Sequence, residues 1–308
     1  MLKIYSNIQN IGQVFDSISA GFLDYAPADK FQETSDLNEA DIILMSGAIH
    51  PNGKLSVVIS NIEVTLSNLS ELSRRFKVID SKRRVIWFDV MGPSLHKSKD
   101  LFSELRDDDV AISPATVTER ENLWTHLFHI EKSVFRRYGR FARVPGSVMM
   151  SADNLSPEVA LIESVMGVVS ELHVTKSPQL GDTESKALKK HMNKISCEAL
   201  SYPKGIAYKA SQCEFVLHTH TTFGPEMMGI EAGMCGCQPI YPDTQYYRDI
   251  FDDTGVLFYD IKDAGSLRSL IEGGQTWTDE QVEAFRSKFS AEDNLPAFWE
   301  AVYKLYTD

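Results

Sequence analysis

The segment from Glu214 to Tyr241 constrains the fold more than any other part of the chain. Glu214-Phe215-Val216-Leu217-His218 is a short apolar run with the length and bounds of a buried parallel strand. A polar loop from His218 to Gly224 leads into a helical pattern that starts at Pro225-Glu226-Met227-Met228 and runs toward Cys235-Gly236-Cys237. Gly233 and Gly236 leave room for a neighbouring backbone, Pro239 is expected to stop the helix, and Ile240-Tyr241 opens another extended run. Strand, loop, helix and strand in this order form the repeating unit of doubly wound α/β folds. Such folds hold anionic ligands in the loops after the strands, facing helix N-termini. Here Glu226 and Glu231 stand where phosphate-binding groups would be expected. Carboxylates in that position suit hydroxyl groups, as in the binding of ribose or a sugar.

The chain has 308 residues, enough for two α/β domains of ordinary size. Its 43% apolar and 24% charged residues are those of a globular protein. No apolar run reaches the length of a membrane span, and Met1-Leu2-Lys3-Ile4-Tyr5-Ser6 reads as a first strand rather than a signal peptide. A cytoplasmic monomer without a membrane partner is therefore expected. The four cysteines (Cys197, Cys213, Cys235 and Cys237) include no second pair at zinc spacing, which points to reduced packing residues. His218 and His220 lack an evident third ligand, so no metal is expected.

A net charge of −12 excludes indiscriminate binding to nucleic acid but leaves room for a local basic face. Arg74, Arg75, Lys77, Lys82, Arg83 and Arg84 crowd one segment. Arg136, Arg137, Arg140 and Arg143 crowd another, with Phe135, Tyr138 and Phe141 between them. Two readings stay open for each run: a solvated surface, or phosphate contacts on a polyanionic acceptor.

Taken in order, the pattern predicts strands at residues 2–6, Asp41–Ser46, Arg84–Asp89 and Asp109–Ile112, with a strand or hairpin over Val57–Leu66. Helices are predicted over Val14–Leu23 and from Thr118 to about Arg137. Arg143–Met149 is read as the last strand of a first domain, and the proline-containing break at Ser151–Pro157 as the boundary. The second domain then offers a helix over Pro157–Val169, a strand at Glu171–Thr175 and a basic helix over Glu184–Ile195. A short strand and turn at Ala199–Lys204 and a helix at Gly205–Gln212 complete the approach to the opening segment. The tail from Asp279 to Tyr306 is helical, broken near Asn294-Leu295-Pro296, with Phe298, Trp299, Val302 and Tyr303 on one face. Asp89 ends a buried strand beside a turn, a favoured position for a titratable site residue.

The spacing E-x4-E-x-G-x-C-G-x-x-P from Glu226 to Pro239 resembles the donor-sugar helix of retaining nucleotide-sugar glycosyltransferases of the GT-B class, and within it the T-even phage DNA α-glucosyltransferases. Asp253-Thr254-Gly255-Val256-Leu257-Phe258-Tyr259-Asp260 is similar to the strand that follows in that family. Phe223 stands where the wider class has a further Glu, and the Gly-Arg pair before Lys176 is missing. The resemblance implies two Rossmann-like domains facing a central cleft: residues 1–150 for the acceptor and 151–290 for the nucleotide sugar, with a helix at 291–308 crossing back to the first domain. It implies Asp89 and Glu226 as catalytic residues, and Gly12, Lys176, Tyr202, Phe223, Gly224, Met227, Met228 and Glu231 around the donor. Glu231 would accept hydrogen bonds from the ribose, Lys176 would hold the diphosphate, and Tyr202 would stack on the base. The donor would be a UDP-sugar, with no cofactor required. The acceptor would be a 5-hydroxymethylpyrimidine in duplex DNA, gripped by Arg136, Arg137, Arg140 and Arg143; a cell-surface glycan, tRNA or small-molecule acceptor, or a non-catalytic nucleotide-sugar-binding protein, stays open as the alternative.

Overall fold

The computed structural model describes residues 1–6, 21–49, 55–59, 62–66, 83–89, 105–113, 121–125, 128, 130–139, 141–151, 159–175, 186–219, 227–274 and 277–308. The chain divides into two compact units, with breaks between Ile130 and Glu131 and between Ser287 and Lys288.

The first unit is built on a parallel sheet of β1 (Leu2–Ser6), β2 (Phe31–Glu33), β3 (Ile42–Ile49), β6 (Arg84–Asp89), β7 (Val110–Ser113) and β8 (Leu123–Thr125), in the order β2-β1-β3-β6-β7-β8. Val57–Leu66 resolves into a hairpin, β4 (Leu55–Ile59) and β5 (Ile62–Leu66), with β4 antiparallel to the end of β3. Ile42, Ile43, Leu44, Val85, Ile86 and Trp87 are fully buried, which is why these strands read as continuous apolar runs rather than alternating ones. Among the described residues, the helix expected from Thr118 to Arg137 is not formed. Leu123–Thr125 pairs with β7 instead, and residues 131–135 make turns, so the cross-strand partner overrides local propensity.

The second unit carries the sheet β11-β10-β9-β12-β13-β14, parallel throughout. Its strands are β9 (Val144–Ser151), β10 (Glu171–Thr175), β11 (Ile195–Glu198), β12 (Cys213–Leu217), β13 (Gln238–Pro242) and β14 (Leu257–Tyr259). β9, expected to close the first domain, lies at the centre of this second sheet between β10 and β12. The domain boundary thus moves from about 150 to between Ile130 and Glu131. The helices are α1 (Val159–Val165), α2 (Lys204–Gln212), α3 (Met227–Met234), α4 (Gln245–Phe251), α5 (Ala264–Gly273) and α6 (Asp279–Phe289). Thr244 and Asp263 cap α4 and α5, each side chain accepting from a backbone N–H of the first turn.

The last helix, α7 (Ala291–Thr307), belongs to the first unit, as the resemblance implied. The Trp299 indole donates to the Phe22 carbonyl at 2.8 Å, and its ring meets Phe22 and Phe31 edge-on. Phe298 packs on Trp124, and Lys30 pairs with Glu300. The tail breaks at Ser290, whose side chain caps α7, and not at Pro296, which lies inside the helix. Among the described residues, no helix is long and apolar enough to cross a membrane.

Candidate functional site

In the second sheet the strand order reverses between β9 and β12. Doubly wound sheets bind ligands just beyond the carboxyl ends of the strands at such a reversal. Buried polar side chains gather there: Ser151 ends β9, Thr175 ends β10, and His218 and Thr219 follow β12, each no more than 4% exposed. Apolar strands that close on buried hydroxyls and an imidazole are unusual unless those groups are hydrogen-bonded. Sequence reasoning named His218 only for its metal-like spacing and passed over Ser151, Thr175 and Thr219. Their signal is present in the strings V-M-M-S, H-V-T and V-L-H-T, where a run of apolar residues stops on a polar one.

Helix α3 follows this edge and presents two different faces. Met228 and Glu231, three residues apart, share one face. The Thr175 hydroxyl donates to the Met228 sulfur at 3.4 Å, and Glu231, only 3% exposed, accepts from the Tyr202 hydroxyl at 2.9 Å on Oε1. This face therefore looks toward the ends of β10 and β11. The other face is flattened by Gly229 and Gly233. A Cβ on Gly229 would collide with the Tyr241 hydroxyl, and one on Gly233 would lie 2.5 Å from the Phe285 ring. Gly233 thus admits an aromatic ring rather than a neighbouring backbone. Gly236 acts through its backbone instead. At φ +80° it closes the helix, with its N–H on the Gly233 carbonyl and the Cys237 N–H on the Ala232 carbonyl. That motif, not Pro239, ends α3, and Pro239 sits within β13.

His218 is held from two sides. Its Nε2 lies 2.5 Å from the Tyr247 hydroxyl, and its ring packs against Tyr241 and Tyr247. It is fixed in this way just beyond the end of β12. Tyr202 is 53% exposed, its ring tilted against the buried Phe135 at 6.2 Å. Met227 and Met228 are buried on the first turn of α3. Cys213, Cys235 and Cys237 are free and buried; burial pushes the Cys213 thiol up to about 12 and raises the other two as well, so they pack rather than react.

Asp89 is the final residue of β6, opposite Gly47 in the register. Gly12, Lys176, Phe223, Gly224, Glu226, Arg140 and His220 lie outside the described residues, as do Arg74, Arg75, Lys77 and Lys82. Arg136 and Arg137 are exposed, Arg136 reaching over the Tyr138 ring at 5.5 Å. Arg143 does not join them. Its guanidinium points to the Cys235 carbonyl at 3.5 Å beside Gly236, and burial lowers its pKa. The interleaved aromatics also turn inward: Phe135 packs on Tyr202, and Tyr138 and Phe141 pack on Tyr208. In the other basic run, Arg84 pairs with Asp108 at 2.5 Å.

The fold is that of the GT-B glycosyltransferases. Among solved structures the chain is similar to sucrose-phosphate synthase from Thermosynechococcus elongatus, at 10% identity and a TM-score of 0.65 over 99% of this chain and 98% of that one. It is similar to HepE from Anabaena, solved with UDP and glucose, at 11% identity and a TM-score of 0.56 over 100% and 97%. It is also similar to TarM from S. aureus, at 10% identity and a TM-score of 0.57; the match covers 87% of this chain but only 55% of TarM. No protein-family model and no curated protein sequence matches the chain.

Proposed function

We propose that this chain is a glycosyltransferase that moves a sugar from a UDP-sugar to an acceptor hydroxyl, with the donor seated at the carboxyl edge of the second sheet. One observation supports this above others. Glu231 is a buried carboxylate on the helix that follows the strand-order reversal, in a fold shared with a neighbour solved with UDP and glucose. A carboxylate there accepts hydrogen bonds from ribose hydroxyls, and Tyr202, exposed beside it, meets the base. Lys176 neutralises the diphosphate, and the loop with Phe223, Gly224 and Glu226 lines the sugar, together with Met227 and Met228.

In the reaction, the bond between the anomeric carbon and the diphosphate oxygen breaks as the acceptor oxygen bonds to that carbon. UDP leaves with the electron pair, and the acceptor's proton passes to the departing diphosphate oxygen. The protein's contribution is to hold the leaving charge and fix the sugar. The sequence resemblance supports Asp89 and Glu226 as the carboxylates of the chemical step.

For the acceptor, we extend the reading to a 5-hydroxymethylpyrimidine in duplex DNA. The sequence resemblance supports it, with Arg136 and Arg137 as the exposed cations available for phosphate. The test is incubation with hydroxymethylated and plain duplex DNA and a panel of UDP-sugars, read by nucleoside mass spectrometry. Glycosylated hydroxymethylpyrimidine, lost in Glu231→Ala, is the expected result. UDP binding without turnover of any donor would instead identify a non-catalytic sugar-nucleotide binder. Turnover on glycans, tRNA or small molecules alone would move the acceptor away from DNA.

A further inference from the structure

The placement of Tyr202 is the reverse of what an exposed tyrosine ordinarily shows. The residue is more than half exposed, yet its hydroxyl donates to Glu231, a carboxylate that is 3% exposed. A surface tyrosine is free to keep its hydroxyl hydrated. Here the 2.9 Å bond to Oε1 gives a buried carboxylate a donor, and charge-assisted bonds of this kind are among the stronger ones. The ring is not loose either. It leans on Phe135, itself 3% exposed, so the hydroxyl is delivered from a braced position.

Glu231 is fixed from the opposite side by its helix. Gly229 brings α3 against the Tyr241 hydroxyl, and Met228, on the same face as Glu231, meets the Thr175 hydroxyl. The carboxylate is therefore clamped between a helix that cannot retreat and a hydroxyl that does not wander.

We infer that Tyr202 is a positioning residue whose hydroxyl holds the Glu231 carboxylate in the orientation that takes a ribose hydroxyl, so that this pair sets the preference for a ribonucleotide. The inference rests on the donor-site reading above. It assigns Tyr202 a role beyond contact with the base: the aromatic face meets the base while the hydroxyl, acting through Glu231, selects the ribose. A carboxylate free to rotate would bind the same hydroxyls more weakly, since its orientation would have to be fixed on binding.

The test is calorimetric binding of UDP and of 2′,3′-dideoxy-UDP, which lacks both ribose hydroxyls, to the wild type, Tyr202→Phe, Glu231→Gln and the double variant. Tyr202→Phe keeps the ring and its contact with Phe135, so the fold and the base contact are preserved. The wild type is expected to prefer UDP. Tyr202→Phe should weaken UDP binding about tenfold or more, leave dideoxy-UDP almost unchanged, and so collapse the preference. In the Glu231→Gln background the same change should have little further effect. A Tyr202→Phe variant that weakens both nucleotides equally, weakens neither, or binds UDP more tightly would overturn the inference while leaving the donor site standing. A wild type that binds UDP with no preference over dideoxy-UDP would remove Glu231 from the ribose. A wild type that binds no UDP would overturn the donor-site reading itself, and the inference with it.

Discussion

At the residue scale, the site depends on side chains that are present and on others that are absent. Glu231 and Tyr202 form the polar pair, but Gly229 decides where the helix carrying Glu231 lies, because any Cβ there meets the Tyr241 hydroxyl. Gly229→Ala is expected to destabilise the protein by about 1–3 kcal/mol through overpacking. A urea titration should show the lowered midpoint, and adding Tyr241→Phe, which removes the obstructing hydroxyl, should restore part of it. Glu231 was legible in the sequence as a carboxylate in the wrong place for phosphate. Its partner was not. Tyr202 stands 29 residues before it, and nothing local to either residue specifies the contact. Arg143 teaches the converse: it reads as one of a basic cluster, and the fold spends it on a helix-end carbonyl.

At the element scale, the strands were the easiest parts to read and the helix ends the hardest. β1, β6 and β10 match the predicted runs residue for residue; in β6, where Val85, Ile86 and Trp87 are fully buried, a strand covered on both faces needs no alternation. α3 instead ends on Gly236 at φ +80°, a geometry that local sequence permits but does not announce. Gly236→Ala is expected to cost about 1–2 kcal/mol from the left-handed backbone, visible as a lower thermal midpoint.

The edge of the second sheet supplies a pH prediction. His173 on β10 contacts Ser196 on β11 at 2.6 Å, with Glu171, Lys209 and Glu198 around it. Burial first, then Lys209, holds its pKa below the ordinary 6.5. The folded protein therefore resists a proton that the unfolded chain accepts. Above about pH 6.5 both states are neutral there and nothing is lost; as pH falls below it, stability declines toward the lowered folded pKa. Denaturant unfolding at pH 8 and pH 5 should show a smaller acid loss for His173→Gln than for the wild type.

At the scale of the whole molecule, the last helix completes the core of the first unit. Trp299 is fully buried among Phe22, Phe31 and Phe298 and donates to the Phe22 carbonyl. Trp299→Ala is expected to cost about 3–5 kcal/mol, with hydrogen exchange of the β1 and β3 amides accelerated. The net charge of −12 bears on partners rather than fold. Any duplex bound through Arg136 and Arg137 must approach against that overall field, so reversing both charges should abolish such binding, as a salt-dependent shift assay would report.

Short windows of the chain suffice for the alternation of buried strands with helices, the presence of two such units, and a pair of carboxylates suited to hydroxyls. Burial and periodicity set these properties locally. The tertiary structure alone decided that Val144–Ser151 is the centre of the second sheet, that Leu123–Thr125 is a strand, and that Tyr202 closes on Glu231. The physical reason is common to all three. A strand's sheet and a side chain's partner are chosen by pairing energies between distant segments, and those energies exist only once the chain has folded.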